Sequence, residues 1–177
     1  MTILIEASPN KNGNGTYLAD KITTRYEEVT RIRLWDLLYR GCKGCRECKE
    51  KNTFCTQDDD IKGLFPKLAD ADRIVIIAPN YMGFISGELK QLIDRLYCMK
   101  DSDKRSRFKD SAKLVFLFTQ GSPTRDHGDR AQQWIKSIAD SYNLKYYGIT
   151  IPNCAKDNTD AVRIKEDEIM MSLSFFS

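Results

Sequence analysis

Histidine is almost absent from this chain: His127 is the only one among 177 residues. No histidine pair is available to gather a catalytic zinc, and no relay through a second histidine can support serine-type hydrolysis. Long apolar runs are missing too. The longest, "IVIIA" at 74–78 and "LVFLF" at 114–118, fall far short of the roughly 18 to 20 residues that span a bilayer, so no membrane association is expected. The opening "MTILIEASPN" lacks a basic start and a cleavage region, and the expected location is cytoplasmic. Nor is there an excess of one charge. Lys and Arg number 28 against 25 Asp and Glu, for a net charge of +3, and the signs are interspersed, which gives no support to a nucleic acid partner. With 41% hydrophobic and 30% charged residues, modest Pro and Gly and no low-complexity tract, the composition predicts one globular domain over residues 1–177.

What is present is alternation. Short apolar runs rich in β-branched and aromatic residues, at 2–7, 31–36, 73–80, 113–121 and 145–153, read as five strands. Between them apolar residues recur at helical intervals: Leu18, Ile22, Tyr26 and Val29; then Leu89, Leu92, Ile93, Leu96 and Tyr97; then Ala131, Trp134, Ile135, Ile138, Ala139 and Tyr142. A weaker helical stretch at 60–71 contains Pro66, expected to kink it or shorten it, and a last helix is expected over 159–173. Strand and helix in alternation predict an α/β three-layer sandwich with a parallel sheet, because each parallel crossover needs a dozen or more residues. Ligands then belong at the carboxyl ends of the strands.

Directly after the first strand, "SPNKNGNGTYLAD" places two glycines, three asparagines and two hydroxyls just before a helix. Gly and Asn admit positive φ, so several N–H groups can converge. Ser8 and Thr16 add donors, Lys11 adds a charge, and the helix N-terminus adds a positive partial charge. This composition suits a phosphate, although neither GxGxxG nor GxxxxGK[ST] is present. A polar capping loop, with Asn14 or Thr16 as N-cap, is the structural alternative.

The densest chemistry lies in "GCKGCRECKEKNTFCTQDDD" at 41–60, which holds four of the six cysteines: Cys42, Cys45, Cys48 and Cys55. In a reducing compartment such a cluster reads as metal-binding or redox-active before it reads as a disulfide framework. The CxxCxxC intervals are those of the bacterial ferredoxin pattern, with Cys55 placed as a fourth ligand, whereas structural zinc usually uses two separated CxxC knuckles. Arg40, Lys43, Arg46, Lys49 and Lys51 outnumber Glu47 and Glu50 around the motif, a surplus that favours thiolates. A 4Fe-4S cluster, free redox-active thiols and zinc are the three readings. Cys98 and Cys154 read as packing residues, and Asp58, Asp59 and Asp60 as helix-capping acids.

Three motifs, "SPNKNGN", "CKGCRECKEKNTFCTQDDD" and "APNYMGFISGELKQLIDRLY", stand in order at successive strand ends. Together they resemble the NADPH-dependent FMN reductase family, and within it the iron-sulfur flavoprotein branch, over roughly residues 1–150. The resemblance implies a flavodoxin-like fold with strand order 2-1-3-4-5, FMN at the carboxyl edge of the sheet, and a 4Fe-4S cluster on the compact cysteine motif, here a cysteine-rich insertion at about 40–58. By matching positions it implies that Ser8, Asn10, Lys11, Asn14, Gly15 and Thr16 surround the FMN phosphate. Pro79, Asn80, Tyr81, Met82, Gly83 and Phe84 would line the ring, Thr119, Gln120, Gly121 and Ser122 would border it, and Cys42, Cys45, Cys48 and Cys55 would hold the cluster. Departures at Ala7, Asn10, Gly15 and Gly121-Ser122 bear on single phosphate contacts. His127 reads as a solvated loop residue, or with Arg125 as a contact to a nicotinamide.

The expected function is an FMN-dependent oxidoreductase passing electrons between a two-electron donor, NADPH or NADH, and a one-electron acceptor. Side chains position the cofactors and none is assigned a catalytic role. The alternatives are a cluster-free FMN or quinone reductase, and an electron carrier that docks a redox protein through its basic cysteine loop. The expected partners are a small-molecule or protein redox partner and further copies of the chain, as a homodimer or homotetramer.

Overall fold

A computed structural model of the chain describes residues 1–155 and 158–174. In chain order the elements are β1 (Thr2–Glu6), α1 (Asn14–Arg25), β2 (Val29–Arg33), α2 (Glu47–Glu50), α3 (Leu64–Ala69), β3 (Arg73–Pro79), α4 (Gly87–Arg95), β4 (Lys113–Thr119), α5 (Asp129–Ser141), β5 (Lys145–Ile151), α6 (Asp160–Ile164) and α7 (Glu166–Ser174). All five strands pair in parallel, in the order β2-β1-β3-β4-β5. This is the flavodoxin-like order expected from the sequence.

Side chains alternate across the strands, and each face of the sheet buries its own core. On one face Ile5, Ile76, Phe116 and Phe118 pack with Leu68, Leu92 and Ile135, from α3, α4 and α5. On the other, Leu4, Val75, Ile77 and Leu117 meet Leu18 and Ile22 of α1 and then Val162, Ile169 and Met170 of α6 and α7. The segment after Pro152 thus completes a layer. Instead of one helix over 159–173 it forms two, because the chain closes a tight turn at Lys165, whose N–H binds the Val162 carbonyl at 3.2 Å.

One further expectation is corrected. The second strand runs Val29–Arg33, not 31–36: its register with β1 ends at the Glu6–Arg33 pair, and Leu34–Asp36 then coil into a 3-10 turn closed by the Arg33 Nε to Asp36 Oδ2 bond of 3.1 Å. As expected, Pro66 sits in a helical stretch shortened from 60–71 to the six residues Leu64–Ala69. It occupies that helix's first turn, where a missing N–H removes no intrahelical bond.

Candidate cofactor cleft and cysteine cavity

Four strand ends converge on one cleft of about 600 Å³. The loop after β1 supplies Ser8, Pro9, Asn10, Gly13, Asn14 and Gly15; β3 ends in Pro79, Asn80 and Tyr81; β4 ends in Thr119, Gln120 and Gly121; and Cys154 with Ala155 follow β5. The cleft straddles β1 and β3, where the connections leave the sheet in opposite directions, which is where a doubly wound sheet opens its crevice.

The loop after β1 folds on its own side chains. The Asn10 N–H donates to Ser8 Oγ at 3.3 Å and the Asn12 N–H to Asn10 Oδ1 at 3.0 Å, the local turns that Ser and Asn favour. Gly13 is the N-cap of α1, so neither Asn14 nor Thr16 caps it; no side chain accepts from the first-turn N–H groups, and the first turn carries no acid. A Cβ on Gly13 would approach the Asn10 amide nitrogen to 2.8 Å. The positive end of α1 is therefore left free for an anion. Deeper in, Asn14 Nδ2 donates to the Ala155 carbonyl at 2.9 Å, while Asn14 Oδ1 and Gln120 Oε1 are buried acceptors with no partner among the described residues. Unpaired buried acceptors are costly, and two of them on one cleft call for a ligand with donor groups. A phosphate at the helix end and a polar ring edge or hydroxyls beside Asn14 and Gln120 fit these residues.

The structure divides the residues expected at the phosphate. Ser8, Asn10, Asn14 and Gly15 line the cleft, whereas Lys11 and Thr16 line a neighbouring groove of about 690 Å³ along β2. The cause is Glu6, fully buried at the end of β1. Its carboxylate accepts from Arg31 at 2.6 Å and Arg33 at 2.5 Å and from the Thr16 hydroxyl. Lys11 Nζ lies 3.6 Å from Asp36.

Around the ring position, Pro79, Asn80, Tyr81, Thr119, Gln120 and Gly121 line the cleft, whereas Met82, Gly83, Phe84 and Ser122 do not. Tyr81 and Phe84 exchange backbone hydrogen bonds of 2.8 and 3.0 Å across Met82 at φ 51° and Gly83 at φ 78°, a tight turn with both central residues in the left-handed region. Met82 is fully exposed. Phe84 packs on Trp134 of α5 with ring centroids 5.1 Å apart. His127 is exposed, and its carbonyl accepts from Asn80 Nδ2 at 3.4 Å. Cys154, read from the sequence as a packing residue, lines the cleft wall with Ala155, which the sequence did not single out, although the rule that sites lie at carboxyl strand ends points to the residues after β5.

The cysteine loop lies on the α3–α4 side of the sheet. Cys42, Cys45, Cys48 and Cys55 line one small cavity of about 30 Å³, together with Arg95 and Cys98. All are free thiols; Cys42 and Cys45 are exposed, and Cys48 is buried. Left-handed residues Gly44 and Arg46 turn the chain into α2, which carries Cys48 inward. Burial pushes the Cys98 thiol up to about 12, partly offset by the Cys55 backbone N–H. Among the described residues, no three His, Cys, Asp or Glu side chains are gathered tightly enough for a single metal ion. A cubane takes one thiolate per iron and asks for a wider ring of sulfurs. The all-sulfur donor set, flanked by a buried cation, suits thiophilic iron.

The acids at 58–60 are not caps, since α3 begins after Gly63. Two of them tether the loop: Asp60 accepts from the Leu38 N–H at 2.6 Å, and Asp59 pairs with Arg95 at 2.5 Å; Asp58 pairs with Lys62 at 3.0 Å. Arg95 is buried at 1% exposure, a residue the sequence reading passed over despite its place three positions after Leu92 on the apolar stripe of α4.

Strand order and rim cleft together define a flavodoxin-like protein. The chain belongs to the NADPH-dependent FMN reductase family, whose sequence profile matches residues 1–153. An iron-sulfur flavoprotein of Archaeoglobus fulgidus is 34% identical to it over 116 residues, 64% of this chain and 57% of that protein. One from Methanocaldococcus jannaschii is 36% identical over 95 residues, 51% of this chain and 49% of that protein. The chain thus spans about half the length of the curated relatives it matches. Among solved structures, the NAD(P)H:quinone oxidoreductase from Methanothermobacter marburgensis superposes with a TM-score of 0.73 at 13% identity, covering 94% of this chain and 90% of that one. The FMN-dependent NADH-azoreductase from Bacillus anthracis in complex with FMN gives 0.66 at 13% identity, covering 98% and 97%. These last two likenesses establish the fold.

Proposed function

We propose that the protein is an FMN-dependent oxidoreductase that carries a 4Fe-4S cluster on Cys42, Cys45, Cys48 and Cys55 and passes electrons between a reduced nicotinamide and a one-electron acceptor. The observation that carries this reading is the meeting of those four cysteines on one cavity, in a family whose sheet-edge cleft here holds two unpaired buried acceptors. The similar proteins named iron-sulfur flavoproteins support it. FMN, when bound, exchanges electrons in pairs or singly, which is what couples a hydride donor to a cluster.

The chain's own residues bind and orient. The N-terminus of α1, Ser8 and Asn10 hold the phosphate; Asn14 and Gln120 accept from donors on the cofactor; Tyr81 covers the ring; and the turn at Met82 and Gly83 stands beside the cleft. Copies of the chain associate as a homodimer or homotetramer, and the acceptor is a small molecule or a redox protein. Among the described residues no helix is long and apolar enough to cross a membrane.

The test is anaerobic purification followed by visible absorption, FMN release, and iron and sulfide analysis, with NADPH and NADH oxidation measured separately. The expected result is stoichiometric FMN, iron that disappears in Cys45→Ala and is retained in Cys98→Ala, and nicotinamide oxidation. Protein that takes up FMN but no iron is a cluster-free reductase. Colourless protein that refuses added FMN overturns the whole reading.

A further inference from the structure

We propose that Arg95 is a positioning residue for the cluster, its buried Nε–H and Nη2–H groups donating to the ligating sulfur of Cys55 and holding the cluster at a raised reduction potential. The proposal rests on the cluster reading above.

Arg95 closes α4, and its side chain is wholly excluded from solvent. Among the described residues only Nη1 is hydrogen-bonded: it donates to Asp59 Oδ2 at 2.5 Å and to the Arg40 carbonyl at 3.2 Å. Nε and Nη2 are buried without a hydrogen-bond partner among the described residues, and the guanidinium lies 5.2 Å over the Phe65 ring. A guanidinium carries five N–H donors and no acceptor, and each buried donor left unpaired is costly. Packing alone gives no reason to retain this group, since an apolar side chain of similar size would fill the wall without the penalty. The unused donors belong to a residue that lines the cysteine cavity. Asp59 supplies its counter-ion.

The other cations of the loop do different work. Lys49 Nζ is spent on the Tyr97 carbonyl at 2.7 Å and on the Lys100 carbonyl, and Lys51 pairs with Glu47 at 2.9 Å. Lys43 is exposed, where water and salt screen its field. Arg95 is the cation with unspent donors inside low-dielectric surroundings, where a charge acts most strongly. One-electron reduction adds one negative charge to a cluster and breaks no bond to the protein. N–H to sulfur hydrogen bonds and a fixed positive charge stabilise that more negative form, which raises the potential.

The experiment is a mediated redox titration of the anaerobically purified holoprotein, with dithionite as reductant and the reduced cluster followed by EPR. Wild type is compared with Arg95→Met, Arg95→Lys and Lys43→Met, each first assayed for iron and sulfide. Arg95→Met is expected to retain iron and to lower the reduced-to-oxidised ratio at the wild-type midpoint about tenfold, a shift of about 59 mV for a one-electron couple. Arg95→Lys, which keeps the charge but loses the fork, is expected to shift the same way by less, and Lys43→Met to shift little. An iron-loaded Arg95→Met with the wild-type midpoint overturns the proposal, as does a Lys43→Met shift of equal size. If Arg95→Met does not fold, Arg95→Lys decides: an unmoved midpoint overturns it. Wild type without iron instead sinks the cluster reading itself, a result distinct from a loaded wild type whose potential ignores Arg95.

Discussion

Burial sets the chemistry of the two cysteines outside the Cys42–Cys55 loop. Cys154 lies at the cleft wall with its Sγ 3.3 Å from the Ile151 carbonyl, and burial raises its thiol to about 11, partly offset by the Gln120 backbone. The thiolate is the reactive form, so a raised pKa means less of it at any given pH. Alkylation of Cys154 by iodoacetamide is therefore expected to stay slow through pH 9 and to accelerate towards pH 11, read by peptide mass analysis. Added FMN should slow it further if the cofactor fills the cleft. Protection at Cys154 without any change at exposed Cys42 and Cys45 would separate cleft occupancy from a general stiffening of the protein.

At the scale of elements, Glu6 joins β1, β2 and α1. It is the last residue of β1, it faces Arg31 and Arg33 on β2, and it receives the Thr16 hydroxyl from the first turn of α1. Glu6→Gln leaves two partly buried guanidinium groups without their shared anion. Removing one partner of a buried pair costs roughly 3 to 5 kcal/mol, and the expected loss is at the lower end because Arg31 and Arg33 retain 24% and 15% side-chain exposure; urea unfolding measures it. This node also marks where sequence reading stops. The strands were legible as apolar runs, and the α1 loop as a Gly- and Asn-rich turn before a helix, because those signals are local. That Thr16 and Lys11 turn towards Glu6 and Asp36 depends on partners 10 and 25 residues away in sequence, and no local pattern reports it. Arg95 is the same case: its spacing places it on the apolar stripe of α4, but only the folded chain brings Asp59 and the cysteines to it. The acids at 58–60 were misread because capping is a local rule, whereas Asp59 and Asp60 find their partners on other segments and Asp58 pairs with Lys62.

For the whole molecule, the cleft is assembled from four strand ends, so its occupant ties together elements that are distant in sequence. Ligand that binds only the folded state stabilises it by mass action, about 2.7 kcal/mol at one hundred times Kd. For a domain of this size that corresponds to a rise in Tm of roughly 5 to 11 °C. Calorimetry of protein stripped of FMN and then titrated with it is expected to show that rise, and an unchanged Tm would contradict a cleft built for FMN. The C-terminal α6 and α7 take part in the same cooperative unit, since Tyr17 of α1 donates to Glu166 at 2.5 Å and Tyr26 to the Met170 carbonyl at 3.0 Å.

Helix α4 has a part beyond covering the sheet. Ser86 caps its beginning just after the Tyr81–Phe84 turn and also donates to the Ala7 carbonyl at 3.3 Å, while Arg95 ends it against the cysteine loop. Its nine residues make a ruler about 13 Å long whose two tips stand beside the cleft and against the cysteine cavity. Inserting or deleting one residue would twist one tip against the other by about 100°. The length of this helix therefore fixes how the cleft and the cysteine cavity face each other.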